Sequence, residues 1–325
     1  MVGRRDFLVT ALAALAPPVA ALAQQPSVRR VGILASSGAR SSALSMTAFR
    51  EELERLGWRD GHNVRLESRY AEEQYDRLPA FAAELVQLKV EVIFAQATPA
   101  IQAAKRATTT IPIVFETLGD AVGTGLVSNL ARPGANVTGV SGFAPELNGK
   151  RLELLRELLP RARRIALLAN RTNPATKVVL ARAAASETTG VVVAVIDVPR
   201  PAALDGAFET MLQQRSDAFV VVADPMLFGQ RQRIVDLALR HRLPAIYEYR
   251  LFAELGGLLS YGPDPHERYR RAAVYVDRIL RGARASELPV EQPSTFELVV
   301  NLRTARSLDL TIPPSVLLRA NRVIE

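Results

Sequence analysis

The sequence predicts an α/β protein of two halves, each a parallel sheet covered by helices on both faces, with the tail crossing between them as a multi-strand hinge. Three observations carry that reading. The chain has 325 residues, and at about 150 residues per domain two domains are expected. Short apolar strands alternate with amphipathic helices, the pattern that buries a parallel sheet on both faces. The alternation fills two successive stretches of roughly 120 residues, an ordinary domain size, and then breaks. Hydrophobic residues make up 48% of the chain, enough for a core in each half, which excludes a disordered chain.

In the first half, Val31 to Ala35 is a short apolar run ended by Ser36-Ser37-Gly38. Met46, Phe49, Leu53 and Leu56 follow at helical spacing, and Gly57 closes that helix. Val64 to Ala71 reads as a strand, and Leu78, Phe81, Leu85 and Leu88 form the stripe of a second helix. Val90 to Ala95 is a strand, Pro99 to Thr108 a helix and Ile111 to Phe115 a strand. Val137 to Phe143 follows the turn Arg132-Pro133-Gly134. The second half repeats the plan. A helix from Leu147 to Leu159 ends at Pro160, strand Ile165 to Ala169 comes next, and Pro174 opens a helix whose first turn suits its fixed φ. Val191 to Val198, Ala218 to Ala223, Ala245 to Tyr247 and Leu258 to Tyr261 are strands with helices between them. In the tail, Tyr269 to Arg281 is a long helix, Phe296 to Leu302 a strand, and Ile312-Pro313-Pro314 a stop before a last helix. The expected lobes are residues 28–144 with about 263–290, and residues 145–262 with about 291–325.

Residues 1–23 read as an address. Arg4-Arg5-Asp6-Phe7-Leu8 is a twin arginine before an apolar pair, and the apolar run Phe7 to Ala23, broken by Pro17-Pro18, ends in Ala21-Leu22-Ala23. A signal peptidase cuts such a small-x-small end, and the twin arginine predicts a Tat-type signal peptide cleaved after Ala23. The alternatives are a membrane anchor and a buried first helix, for which the run is short and broken against about 30 Å of bilayer. No later stretch approaches ~18 uncharged apolar residues, so no transmembrane helix is expected. The mature protein is expected to be soluble and periplasmic, its net charge of +8 lowered by one when Arg4, Arg5 and Asp6 leave.

The basic excess, 41 Lys and Arg against 33 Asp and Glu, is mostly arginine scattered over polar helix positions. That is a solvated surface, and nucleic acid is not an expected partner. With no cysteine there is no disulfide, thiolate metal site, cysteine nucleophile or lipidated N-terminal cysteine. Only His62, His241 and His266 remain for metal or triad chemistry. Gly119 to Gly125 lacks the lysine of a phosphate-binding loop, and no G-x-G-x-x-G follows a strand. Gly139-Val140-Ser141-Gly142-Phe143 resembles a nucleophile elbow but lacks its last glycine in register, and no histidine is placed to serve Ser141. No enzyme, cofactor or metal is expected.

Ligands of open parallel sheets sit beyond the carboxyl ends of the strands. Here those ends are Ser36-Ser37-Gly38, Gln96-Ala97-Thr98-Pro99, Gly119-Asp120, Ser141-Gly142-Phe143, Asn170 to Asn173, Asp224-Pro225, Tyr247-Glu248 and Ser260-Tyr261-Gly262. Several precede a helix, where free N–H groups favour an anion such as a carboxylate. Each has a plainer alternative: Ser36, Thr98, Asn173, Asp120 and Asp224 as helix caps, Tyr247 and Tyr261 as core residues.

Longer strings carry a family resemblance. They are Gln74-Tyr75-Asp76-Arg77-Leu78-Pro79, Thr110-Ile111-Pro112-Ile113-Val114-Phe115, Gly119-Asp120 with Gly125-Leu126-Val127, Arg132 to Ser141, Ala223-Asp224-Pro225 and Pro244-Ala245-Ile246-Tyr247-Glu248. In this order, from about Arg29 to Glu325, the chain resembles the ABC-transporter substrate-binding proteins of the tryptophan/tyrosine-binding type. The resemblance implies a type I periplasmic binding fold, two Rossmann-like doubly wound lobes that close on a ligand and deliver it to an ABC permease driven by an ATPase; the expected ligand is an amino acid, aromatic or branched in preference, or a similar small carboxylate. It also implies a monomer that meets the membrane only through that permease. The family-like cleft positions are Ser36, Thr98, Asp120, Ser141, Asn170, Asn173, Asp224 and Tyr247; Ala121 departs from the proline many relatives carry there. For an amino acid, Asp120 or Asp224 would pair the ammonium, Ser36 and Thr98 with nearby N–H groups would hold the carboxylate, and Phe143, Tyr247 and Tyr261 would wall the side chain. On that reading Asp224→Ala abolishes binding and leaves thermal unfolding of the empty protein nearly unchanged. The alternative role is a periplasmic sensor for a chemoreceptor or kinase.

Overall fold

The computed structural model describes residues 28–142, 144–185 and 191–325; the proposed signal peptide and Phe143 lie outside them. The strands are β1 (Arg29–Ala35), β2 (Val64–Tyr70), β3 (Val92–Gln96), β4 (Ile113–Thr117), β5 (Val137–Ser141), β6 (Arg164–Ala169), β7 (Val192–Asp197), β8 (Ala218–Val221), β9 (Ala245–Tyr247), β10 (Leu259–Gly262), β11 (Glu297–Asn301) and β12 (Arg322–Ile324). The helices are α1 (Ala43–Arg55), α2 (Leu78–Gln87), α3 (Ala97–Ala107), α4 (Ala144–Leu158), α5 (Pro174–Ala185), α6 (Leu204–Gln213), α7 (Pro225–Gly229), α8 (Arg231–Arg240), α9 (Arg250–Glu254), α10 (Pro265–Leu280), α11 (Leu302–Ser307) and α12 (Pro314–Leu317).

Two sheets result. The first is parallel throughout, in the order β2-β1-β3-β4-β5. Alternation along each strand feeds both its faces. Leu34, Ile93 and Phe115 pack with α2 and α3, whereas Val31, Ile33, Phe94 and Val114 pack with α1 and α10. On that second face Phe49 stacks on Phe94 at 4.4 Å, and Tyr269 meets Phe94 edge-on at 5.6 Å. Gly139 in β5 has φ +149°, and a Cβ there would lie 2.1 Å from the Phe115 carbonyl oxygen, so only glycine lets β5 close on β4.

The second sheet has the order β12-β11-β10-β9-β8-β6-β7 and is parallel except where β10 meets β11. Leu167, Val220 and Ile246 fill one face, and Leu168, Phe219 and Val221 the other. The tail differs from its sequence reading at two points. Helix α10 begins at Pro265 rather than Tyr269, because Asp264 caps it, accepting from the His266 N–H at 2.9 Å, while its first turn is too polar to show a stripe. The chain after α12 adds β12, too short for any alternation, to the edge of the sheet.

The chain crosses between the halves after β5, between β10 and α10, and again before β11, since α10 packs on α1 while β11 belongs to the second sheet. The last crossing runs beside β5: Ser141 N donates to Glu291 O at 2.9 Å, and Glu291 N to Gly139 O at 3.0 Å. These crossings are the multi-strand hinge of a type I periplasmic binding fold.

Candidate functional site

The carboxyl ends of the two sheets face each other across a cavity with about 630 Å³ of empty space, its mouth included, within the usual range for small-molecule sites. The five-stranded half contributes Ser37 and Ser42 after β1, Gln96 to Thr98 at the start of α3, Glu116 and Thr117 from β4, and Arg268 and Tyr269 from α10. The other half contributes Asn173 before α5, Asp224 after β8, Phe228 of α7 and Tyr249 after β9. Ala97, in the wall, holds φ +65°, a left-handed conformation that costs an alanine about 1–2 kcal/mol. Strain of this kind gathers at binding sites.

Three carboxylate or guanidinium groups line this space. Glu116 and Arg268 form a buried ion pair through Glu116 Oε1 and Arg268 Nη1. Arg268 Nη2 also donates to the Tyr249 hydroxyl at 2.8 Å, and among the described residues Nε has no partner. Burial opposes the arginine's charge, but Glu116 and Tyr249 outweigh it and push its pKa above the ordinary value. The third group, Asp224, is buried and saturated. Oδ1 caps α7, accepting from the N–H groups of Met226 at 2.9 Å and Leu227 at 3.0 Å. Oδ2 accepts from the Tyr75 hydroxyl at 2.9 Å and Asn173 Nδ2 at 2.9 Å, and Asn170 Nδ2 reaches both oxygens at 3.3 Å. Burial raises the Asp224 carboxyl, with Asn173 the chief opposing donor.

Contacts between the halves surround the cavity. Tyr75 of the five-stranded half donates to Asp224, and Arg268 of the same half donates to Tyr249. At the rim Arg182 of α5 pairs with Asp120 at 3.2 Å and also with Glu146. Gly119 sits so near its neighbours that a Cβ would lie 2.8 Å from Thr98 Oγ1 and 3.1 Å from Ala175 Cβ across the cleft.

Of the positions singled out in the sequence, Thr98, Asn173 and Asp224 line the cavity. Ser36, Ser141 and Asn170 stand one layer behind. Ser36 Oγ accepts from Ala100 N at 3.1 Å, capping α3 from outside, and Ser141 Oγ accepts from Ala121 N and donates to Gly119 O, both at 3.1 Å. Asp120 is at the rim, where its Oδ1 accepts from Val122 and Gly123 N–H. Tyr247 and Tyr261 are not in the cavity. Tyr247 is in the core, stacked on Phe252 at 4.6 Å, and Tyr261 packs on the opposite core beside Phe296. The aromatic wall is Phe228, Tyr249 and Tyr269 instead. Sequence reading also missed Glu116, Arg268 and Tyr75. One signal was available: a charged residue within a buried apolar pattern, Glu116 closing Ile113-Val114-Phe115 and Arg268 in register with Ala272, Tyr275 and Ile279.

Among the described residues there is no cluster of His, Cys, Asp and Glu that could hold a metal ion, and no helix long and apolar enough to cross a membrane. The family model for ABC transporter substrate binding proteins matches residues 30–324. The tyrosine-binding protein of Clostridioides difficile is 26% identical over 81% of this chain and 75% of its own. An ABC domain from Streptococcus pneumonia solved in complex with L-Trp is 27% identical, covers 92% of this chain and 100% of its own, and superposes with a TM-score of 0.84. A substrate-binding protein with adhesive properties from Clostridium difficile, in its ligand-free, open structure, is 25% identical over 91% of this chain and 99% of its own, yet superposes at only 0.64. The arrangement of halves described here is thus nearer the ligand-bound relative than the open one, in keeping with the bonds across the cleft. The two sheets, the cleft between their carboxyl ends and the match along nearly the whole length agree: the chain belongs to the ABC transporter substrate binding protein family.

Proposed function

We propose that this protein is the exported solute-binding component of an ABC importer. It closes on an amino acid, aromatic in preference, hands it to a permease powered by an ATPase, and performs no catalysis itself. The observation that carries the reading is the cavity: aromatic rings from both halves, polar side chains and a buried ion pair enclose one small space, the mix expected of a site for a compact polar molecule with an apolar body. Relatives that bind tyrosine by name, or were solved with L-Trp, support the same ligand class. In this reading residues 1–23 direct Tat export to the periplasm, the lobes are residues 28–144 with about 263–290 and 145–262 with about 291–325, and the protein works as a monomer.

A thermal-shift screen tests it. The purified protein is unfolded and refolded to strip carried ligand, then heated with amino acids, aromatic carboxylates, sugars and polyamines. A ligand at 100 times its Kd adds about 2.7 kcal/mol, a readily seen shift. Hits among aromatic amino acids are expected. Silence from every amino acid with a hit among sugars or polyamines would overturn the ligand class.

A further inference from the structure

The amino-acid reading leaves open which groups meet the charged end of the ligand, and the cavity narrows the choice by elimination. Its carboxylate and guanidinium side chains are Glu116, Asp224 and Arg268. Asp224 already accepts from five groups, more than the roughly four lone-pair sites of a carboxylate. An ammonium arriving there would have to evict a donor that holds α7 or bridges the halves. Asp120 lies outside the cavity, engaged by Arg182 and by its own turn. Glu116 is different. Its Oε1 is taken by Arg268, and its Oε2 has no hydrogen bond among the described residues. Arg268 is complementary. Nη1 and Nη2 are engaged by Glu116 and Tyr249, whereas Nε–H is buried without a partner on a side chain only 2% exposed.

We propose that the Glu116–Arg268 pair reads the main-chain end of the bound amino acid, Glu116 Oε2 accepting from its ammonium and Arg268 Nε donating to its carboxylate. The proposal rests on the amino-acid reading and extends it to ligand chemistry: molecules with both an adjacent ammonium and a carboxylate are selected over those with one. Two buried charges that neutralise each other leave the empty cavity with no net charge from the pair. A zwitterion then adds one acceptor for the orphaned donor and one donor for the unused oxygen, and every charge stays matched. Closure takes part as well. Tyr249 comes from the opposite half, so its bond to Nη2 fixes the guanidinium, and with it Nε, only when the cleft is shut.

Isothermal titration of the refolded protein with L-tryptophan, L-tyrosine, tryptamine, tyramine and indole-3-propionate tests this. Each lost charge-assisted bond should cost about 10- to 100-fold in affinity. The amines and the propionate should therefore bind that much more weakly than the parent amino acids. Glu116→Gln should weaken L-tryptophan by a similar factor and leave indole-3-propionate within about threefold. Arg268→Lys, which keeps a cation beside Glu116 but has no Nε, should weaken L-tryptophan and leave tryptamine within about threefold. If Arg268→Lys melts early, Glu116→Gln still decides the question. Equal binding of amino acids and amines, or a Glu116→Gln loss as large for indole-3-propionate as for L-tryptophan, would overturn this assignment and spare the broader function. A wild-type protein that binds neither L-tryptophan nor L-tyrosine nor any other α-amino acid would sink both.

Discussion

Glu248 is the side chain whose charge state the fold disturbs in the most measurable way. It follows β9 directly, is wholly buried, and among the described residues neither carboxyl oxygen has a hydrogen-bond partner. Its nearest charged neighbour in effect is Arg151 of α4, which is equally buried. Arg151 spends Nε on Tyr261 O at 2.8 Å and Nη1 on Asn148 Oδ1 at 2.9 Å, with Nη2 left over. Burial pushes the Glu248 carboxyl from 4.5 up to about 7, with Arg151 opposing. The native state therefore holds a proton over a range in which the unfolded chain has released it. Stability from this group is complete below about pH 4.5 and is lost as pH rises through about 7. At 1.36 kcal/mol per pKa unit, the loss is roughly 3 kcal/mol. Glu248→Gln removes the titration and nearly preserves the shape. Urea unfolding of both proteins from pH 4.5 to 8 should find them alike at the acid end, with the variant more stable by roughly 3 kcal/mol at pH 8. A difference that does not change with pH would show that Glu248 stays ionised in the fold, and the reasoning would fail.

Two further outcomes follow from the cleft. Asp224→Ala strips an acceptor from Tyr75, Asn170, Asn173 and two backbone N–H groups, so urea unfolding of the empty protein should show a loss of about 1–3 kcal/mol or more, the cost of stranding buried donors. A loss below about 1 kcal/mol, no more than a helix cap, would restore the sequence-based expectation of an untouched empty protein. Gly119→Ala places a methyl group 2.8 Å from Thr98 Oγ1 and 3.1 Å from Ala175 Cβ across the cleft. Overpacking of that size costs about 1–3 kcal/mol, so ligand affinity should fall about tenfold or more, and solution scattering should show a wider ligand-saturated protein than wild type; unchanged scattering and affinity would mean the cleft does not close this far.

The fold was legible because its strands are apolar runs of ordinary length bounded by strong breakers. Strand β9 has the bounds the sequence predicts, and β1 to β8 and β10 each overlap the expected run. What could not be read is short. Helices α7, α9 and α11 span at most six residues, too few for a 3.6-residue period to declare itself. Strand β12 has no alternation of its own and owes its place to β11. The site was legible in outline only. The rule that ligands lie beyond strand ends led to the sheet edges that border the cavity, and there it picked out Thr98, Asn173 and Asp224, which line it. It also picked out Tyr247, because a strand's last residue can point into either face, and at β9 that face is the core packed by Phe252. Arg268 escaped because its helix lies in the tail, and only the crossing of the chain brings it against β4.

The two tyrosines explain why charges so deeply buried are tolerated. Tyr75, from the five-stranded half, donates to Asp224 of the other; Tyr249, from the seven-stranded half, accepts from Arg268 of the first. Each half thus keeps a buried charge whose partner across the cleft is a neutral hydroxyl, and burial pushes both phenols above their ordinary pKa, so both stay neutral at any physiological pH. Closing forms two charge-assisted bonds, but it takes Asp224 and the Glu116–Arg268 pair out of water, and the two terms oppose each other. To the extent that these terms cancel, neither form of the empty cleft is strongly favoured. A ligand needs only a few kcal/mol of preference for the shut form to set the population, and the orphaned Nε of Arg268 and unused oxygen of Glu116 are where a zwitterion would find that preference.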